Sequence, residues 1–487
     1  MTAIRSASFS LSSHILTVAI HLGSLAVLGR LLSPVDFGLF GIIQATEALF
    51  HPLLDTGLGS AYIKLNKATK EASDAFFTVN VLLGFLVTVI LCASAPVLVI
   101  IYGKKILLQL TLVFALSIIF RSLGSQPIAM LARSKRFDKI MLVNQISLVA
   151  GVATCVSAAL AGWGVWALIV RATVQAATRS GSAYFLSSHH YSFTTFEEIK
   201  KYKGSLKFGI QIVFGRLLVG IYQSADKLFF GKFFSIDLLG HYSRACDLSK
   251  MPDTHIRTPL SSPAIAHLAR IRNSETKKNA YLTMIHVILF LAGVPCMVCV
   301  LIGDKILPWF MGEQWGVAGD YFRILAIWGL AQIIQGICFV ISINEVQTKN
   351  WIKINLLGIL VVYLLPVGFT LSNPQPLKFI LLLSISYFIY FFAIMLIYIY
   401  RYTTSLQAVV NAVRHIGVSS VVTVITFFCT PYIWDTLCRL GLNRFLSMLT
   451  FSGTFMCILA LVQLLFNRKL FVDLYCFLFD RQKRVSG

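Results

Sequence analysis

Apolar runs long enough to cross hydrocarbon as a helix, about 20 residues each, recur almost from one end of the chain to the other. Fourteen spans are predicted: residues 10–28, 37–63, 76–101, 107–131, 140–160, 164–186, 205–224, 236–267, 280–303, 317–343, 351–371, 377–400, 412–434 and 445–466. The first follows Arg5 and imitates a signal peptide, but the thirteen apolar stretches behind it argue for a chain retained in the membrane. Polar positions between the spans are few. The longest polar connections, 187–204 and 269–279, are too short for a soluble domain. That weighs against a membrane enzyme built around a large external catalytic loop. The predicted class is an all-α polytopic membrane protein.

Composition agrees with this reading. A chain of 487 residues that is 57% hydrophobic and 13% charged, with mean hydropathy +0.78, is built for lipid and not for water. Lys and Arg gather in cytoplasmic loops of membrane proteins. With the N-terminus inside, well over half of the 42 Lys and Arg fall on the cytoplasmic side, including Arg133, Lys135, Arg136, Lys139, Lys200, Lys201 and Lys203. Both termini are therefore expected inside. The net charge of +22 is scattered over alternate loops and not collected in one domain, so anionic membrane lipids are the expected partner and nucleic acid is not. Most of the ten cysteines lie inside apolar spans, where thiols behave as small hydrophobes. Cys296 and Cys299 form a CxxC without a second pair, and no metal site is expected there.

A weak internal repeat organises the chain. Gly29, Arg30, Leu31, Leu32, Ser33, Gly38 and Phe40 are answered by Gly231, Lys232, Phe233, Phe234, Ser235, Gly240 and Tyr242, each at an offset of 202 residues. Asp36 and Asp237 also correspond, one position out of phase. Both copies fall in the external link between a first and a second span, if the seventh span opens a new set. The repeat predicts two pseudo-symmetric six-helix lobes of the same orientation, an N-lobe over 1–203 and a C-lobe over 204–404, with two C-terminal helices and a tail over 405–487. Parallel repeats of this kind are a transporter architecture with the site between the halves.

The second helix of each set is the least lipid-like. Glu47, His51, Pro52, Asp55, Gly57 and Gly59 interrupt one; Arg244, Asp247, Lys250, Pro252, Asp253, Arg257, Pro259 and Pro263 interrupt the other. Paired interrupted helices point to a transport site, because irregular backbone survives at membrane depth only beside protein or a wet cavity. The eighth span could instead start late, near Pro259, leaving its charges in an interfacial segment. Arg121, Arg171 and Arg216 also lie at bilayer depth, where a lone cation costs at least a few kcal/mol. Cations outnumber acids in this set, so the cavity is expected to receive an anion, and guanidinium suits phosphate. Arg30, Arg216, Arg244 and Lys250 are the candidate substrate-binding residues. Glu47 and Asp55 are candidates for ion coupling, or for balancing the cations. No P-loop is present, so no nucleotide cofactor is expected.

The run LGRLLSPVDFGLFGI from Leu28 to Ile42, and the run ADKLFFGKFFSIDLLGHYSRACDLSKMP from Ala225 to Pro252, resemble the Wzx-type polysaccharide flippases of the multidrug/oligosaccharidyl-lipid/polysaccharide (MOP) superfamily. The resemblance implies a bacterial inner-membrane transporter that carries an undecaprenyl-diphosphate-linked oligosaccharide to the periplasmic leaflet for exopolysaccharide or lipopolysaccharide assembly. It implies polysaccharide polymerase and chain-length proteins as protein partners, and no enzyme activity. The family's conserved positions map onto Gly29, Arg30, Asp36, Gly38, Asp226, Gly231, Gly240, Tyr242 and Arg244. The sequence departs from that pattern at Lys250 and from Asp253 to Arg257, which leaves the course of the eighth helix open. A bare diphosphate would meet a barrier of roughly tens of kcal/mol in hydrocarbon, which a cation-lined cavity would remove. Two rivals remain: a drug or small-molecule antiporter of the same superfamily, where more buried acids than bases are expected, and a glycosyltransferase or polymerase acting on the same lipid carrier, which needs a sizeable loop or an acidic cluster.

Overall fold

The structure, a computed structural model, describes residues 3–403 apart from 55–56, 64, 66–68, 188, 205, 207–219, 221–223, 270, 272 and 346–347. The thirteenth and fourteenth predicted spans, most of the seventh, and the candidates Arg216 and Asp55 lie outside the described residues. The chain is all-α, and among the described residues there is no strand. Its helices are α1 (Ala3–Leu31), α2 (Pro34–Leu54), α3 (Gly57–Ile63), α4 (Lys70–Tyr102), α5 (Ile106–Arg133), α6 (Phe137–Leu160), α7 (Val165–Ser187) and α8 (Phe196–Lys201). After a helical stretch over residues 224–233 come α9 (Ile236–Ser249), α10 (Thr258–Leu268), α11 (Ser274–Met311), α12 (Gly316–Asn344), α13 (Thr348–Ser372) and α14 (Pro376–Thr403). Seven of these helices are long and apolar enough to cross a bilayer, among the described residues. They make this a multi-pass membrane protein.

The chain forms two units. One holds Met1–Ser243 with Phe310–Trp315, the other Arg244–Trp309 with Gly316–Gly487. In the first, α4 packs along α5, α5 along α7 and α6 along α7, with α1 against α6 and α2 against α4 and α5. In the second, α12 packs against α14 and α13 against α14. Prolines 96, 127, 295 and 366 sit inside long helices, as they do where neighbouring helices absorb the lost backbone bond.

Within the first unit the repeated motif has a structural use. Ser33 caps α2: its N–H and hydroxyl donate to Asp36 Oδ2 at 2.9 and 2.7 Å, and its Oγ accepts from the Asp36 N–H at 3.3 Å. Ser235 does the same for α9, accepting from the Leu238 N–H at 3.1 Å. The out-of-phase aspartate has another task, since Asp237 Oδ2 stands 3.7 Å from His241 Nε2. The glycines make a reciprocal contact. A Cβ on Gly38 would lie 2.0 Å from the Ile236 carbonyl oxygen, and one on Gly240 would lie 1.8 Å from that of Pro34. Pro34 and Ile236 are themselves one offset apart, as are Gly38 and Gly240. Gly41 meets its own counterpart, Ser243, whose Oγ would be 2.8 Å from a Cβ there. Contacts of a residue with its own equivalent, and with the equivalent four positions away, describe parallel helices about a local two-fold. The repeat is thus a packing device as well as a sequence echo.

The eighth helix follows one continuous helical course. From Ile236 the backbone stays helical through a single turn residue at Lys250 and a π-helical stretch, Asp253–Arg257, to Leu268. The charged stretch before Pro259 is thus helical and joined to the apolar part behind it. Pro252 and Pro259 each lack an N–H to donate, and the wider π turn takes up the resulting gap, a local irregularity common at functional positions.

Candidate functional site

From Arg244 onward the charged positions of the eighth helix fall in the second unit, and most are organised by near neighbours on the same helix. Arg244 Nη2 is 2.6 Å from Asp247 Oδ2, three residues on. Asp253 takes two bonds from Arg257, one at Nε and one at Nη2, the latter 3.0 Å. The same guanidinium donates from Nη1 to Ser261 Oγ at 3.1 Å. Spacings of three and four residues place such pairs on one helical face, so this pairing was readable from the sequence. Lys250 differs. Its ammonium lies over the Trp328 ring, 5.0 Å from the centroid, in a cation–π contact.

Two glycines of α12 let this stretch lie close. A Cβ on Gly329 would be 2.4 Å from the Ser249 carbonyl oxygen, and one on Gly336 would be 2.3 Å from the Arg257 guanidinium. Small residues two turns apart allow such backbone approach between membrane helices. Behind the contact runs a buried polar chain: the Tyr387 hydroxyl donates to Gln335 Oε1 at 2.8 Å, and Gln335 Nε2 donates to Asn355 Oδ1 at 3.0 Å. Trp328 meets Tyr387 edge to face. The Lys250 ring partner is thereby held by a satisfied polar core.

The other candidates stand as follows. Arg30 is exposed in the last turn of α1, where a cation suits the helix dipole. Glu47 is buried in α2 and accepts from Arg121 Nη1 of α5 at 2.7 Å. Arg121 thus has its acid, a partner 74 positions away that no local spacing reveals. Arg244 and Lys250 share one helix, while Arg30 belongs to the first unit. Asp226 and Tyr242, both among the positions mapped by resemblance, bond to each other: the tyrosine hydroxyl donates to Asp226 Oδ2 at 2.6 Å, in a fully buried setting. Among the described residues no group of three His, Cys, Asp or Glu side chains converges as a metal site would need.

Comparison with known proteins decides the family. Residues 27–319 match the family described as "Polysaccharide biosynthesis protein". The chain belongs to that family. It is 24% identical to the teichuronic acid biosynthesis protein TuaB of Bacillus subtilis, over 67% of this chain and 68% of that one. It is 20% identical to the lipopolysaccharide biosynthesis protein WzxC of Escherichia coli over 68% of each, and 19% identical to the succinoglycan biosynthesis transport protein ExoT of Rhizobium meliloti over 67% and 66%. Among solved structures, the lipid II flippase MurJ in an inward closed conformation superposes with a TM-score of 0.71, covering 96% of this chain and 100% of that one at 15% identity. An inward-facing MATE transporter of the MOP superfamily gives 0.62, covering 82% and 98% at 15% identity. The fold of this family member is that of the MOP transporters.

Proposed function

We propose that the chain is a flippase that carries an undecaprenyl-diphosphate-linked oligosaccharide from the cytoplasmic to the periplasmic leaflet of a bacterial inner membrane by alternating access. The observation that carries this reading is membership of a polysaccharide biosynthesis family in a chain with the fold of a lipid-carrier flippase. The product would feed exopolysaccharide or lipopolysaccharide assembly. The charge bias of the connections supports cytoplasmic termini, and the offset repeat supports lobes over 1–203 and 204–404.

The site in this reading consists of Arg216 and Arg244, helped by Arg30 and Lys250, with Glu47 and Asp55 as ion-coupling candidates. On the eighth helix Arg244 and Arg257 face carboxylates of their own helix, while Lys250 rests on a ring. A diphosphate entering beside Lys250 displaces no carboxylate from it, so that lysine is the first cation of this helix to engage the anion. Arg216→Lys keeps the charge and loses the planar donor fork; Arg216→Ala loses both. Outer-leaflet appearance of lipid-linked oligosaccharide, followed in cells making normal amounts of protein, should fall in the order Arg, Lys, Ala. Full transport by the Arg216→Ala, Arg244→Ala double variant at wild-type abundance would remove both residues from the mechanism.

A further inference from the structure

The connection after α7 is a fixed strap. Ser192 donates from its N–H and its hydroxyl to the two oxygens of the buried Asp74, at 3.2 and 2.7 Å, and the Thr194 N–H donates to Thr78 Oγ1 at 3.1 Å. Phe77 of α4 stacks on Tyr191 with ring centroids 5.2 Å apart. Further along, Ile199 and Tyr202 pack against the cluster around Tyr62 and Phe76. Tyr191, Ser192 and Thr194 thus tie the strap to α4, and Ile199 and Tyr202 tie it to the core beneath.

What the strap presents outward does not fit water. Phe193 is 70% exposed and Phe196 80% exposed, and Lys200, Lys201 and Lys203 are exposed beside them. The turn between α5 and α6 repeats the combination with exposed Lys135, Arg136 and Phe137, and Lys139 at the start of α6 donates to the carbonyl of Leu186, in the last turn of α7, at 2.9 Å. The acids nearby are Glu71, whose carboxyl feels the Lys201 charge, Asp138, Glu197 and Glu198, and Glu198 already takes the Thr194 hydroxyl. Cations are left in excess. Exposed phenylalanines at short polar connections, with lysines alongside, match the boundary of an anionic leaflet, where apolar rings bury at the headgroup–acyl border and each basic residue adds attraction.

We propose that the strap from Tyr191 to Lys203, with the α5–α6 turn, is a docking surface for anionic phospholipid headgroups. Phe193 and Phe196 enter the headgroup–acyl boundary, and the three lysines take the phosphates. The rigid tether to Asp74 makes the contact a property of the first unit rather than of a floating loop, so bound acidic lipid and α4 move together.

Photocrosslinking on the full chain tests this. Benzoylphenylalanine replaces Phe196, or Leu86 in mid α4 as a control, and the protein is reconstituted in phosphatidylcholine containing a minority of radiolabelled phosphatidylglycerol. The ratio of phosphatidylglycerol to phosphatidylcholine among lipid adducts at 196 should exceed the ratio in the bilayer, by roughly fivefold for each lysine engaged; at 86 it should equal that ratio. The Lys200→Gln, Lys201→Gln, Lys203→Gln variant should lose the excess. Raised salt should reduce it in the unaltered chain, which gives the same readout without any variant. Labelling at 196 in proportion to bilayer composition, crosslinks chiefly to protein, or no lipid adduct at all would each overturn the proposal.

Discussion

Replacing either member of the Glu47–Arg121 pair should cost far more than replacing both. The oxygen and nitrogen are 2.7 Å apart, with side chains 6% and 28% exposed. At an effective dielectric of about 20 their attraction is roughly 6 kcal/mol, set against the several kcal/mol per ion spent on desolvation. The intact pair therefore contributes little net stability, yet a lone partner is left as an uncompensated charge among packed helices. Glu47→Met or Arg121→Met should each destabilise by about 3–5 kcal/mol, and the double variant by far less, since a well-packed apolar replacement of a buried pair is near neutral. Loss of thermal stability of the three purified variants in detergent, read from the monodisperse size-exclusion peak after heating, measures the difference. Equal, additive losses would refute the pairing. Transport by the stable double variant then separates packing from function: retained transport leaves Glu47 and Arg121 as partners only for each other, and lost transport assigns the pair a part in the transport cycle.

Gly240→Ala should destabilise by about 1–3 kcal/mol, because its Cβ meets a backbone carbonyl that cannot rotate away, whereas Gly23→Ala, with nothing within 4 Å, should be neutral or stabilising in the same melting assay. Asp253→Asn removes the charge facing Arg257 and should cost about 3–5 kcal/mol; wild-type stability would show that the guanidinium finds its balance elsewhere. Glu345 is held below its ordinary value of 4.5: burial raises it, but hydrogen bonds from Lys277 and Tyr281 and the lysine charge outweigh that. A depressed folded-state pKa gives stability that is present above the unfolded value and lost as pH falls through the folded one. Glu345→Gln should therefore flatten the acid side of a melting-temperature profile, and an unchanged profile would count against the clamp. Reporter fusions after Lys203 and Lys278 should read cytoplasmic and one after Lys305 external; a periplasmic signal at Lys203 would reverse the topology.

The sequence by itself determined the helices. Hydrophobic length is a local quantity, so 107–131 became Ile106–Arg133 and 317–343 became Gly316–Asn344. It also determined the caps and the short-range ion pairs, since Ser33 with Asp36, Arg244 with Asp247 and Asp253 with Arg257 lie within one helical turn. The repeated glycines were visible as a pattern without a purpose. Only the tertiary structure decided that Gly38 and Gly240 are spaces for each other's helix, because a missing Cβ acquires meaning only when a carbonyl stands where it would have been. Arg121 and Glu47 are 74 residues apart, and Lys250 and Trp328 are likewise brought together from separate helices. An apolar run specifies how long a helix is but not which of its faces meets a neighbour. In lipid every apolar face is equally well solvated, so the pairing of faces is settled by close packing and by the few charges that must find one another.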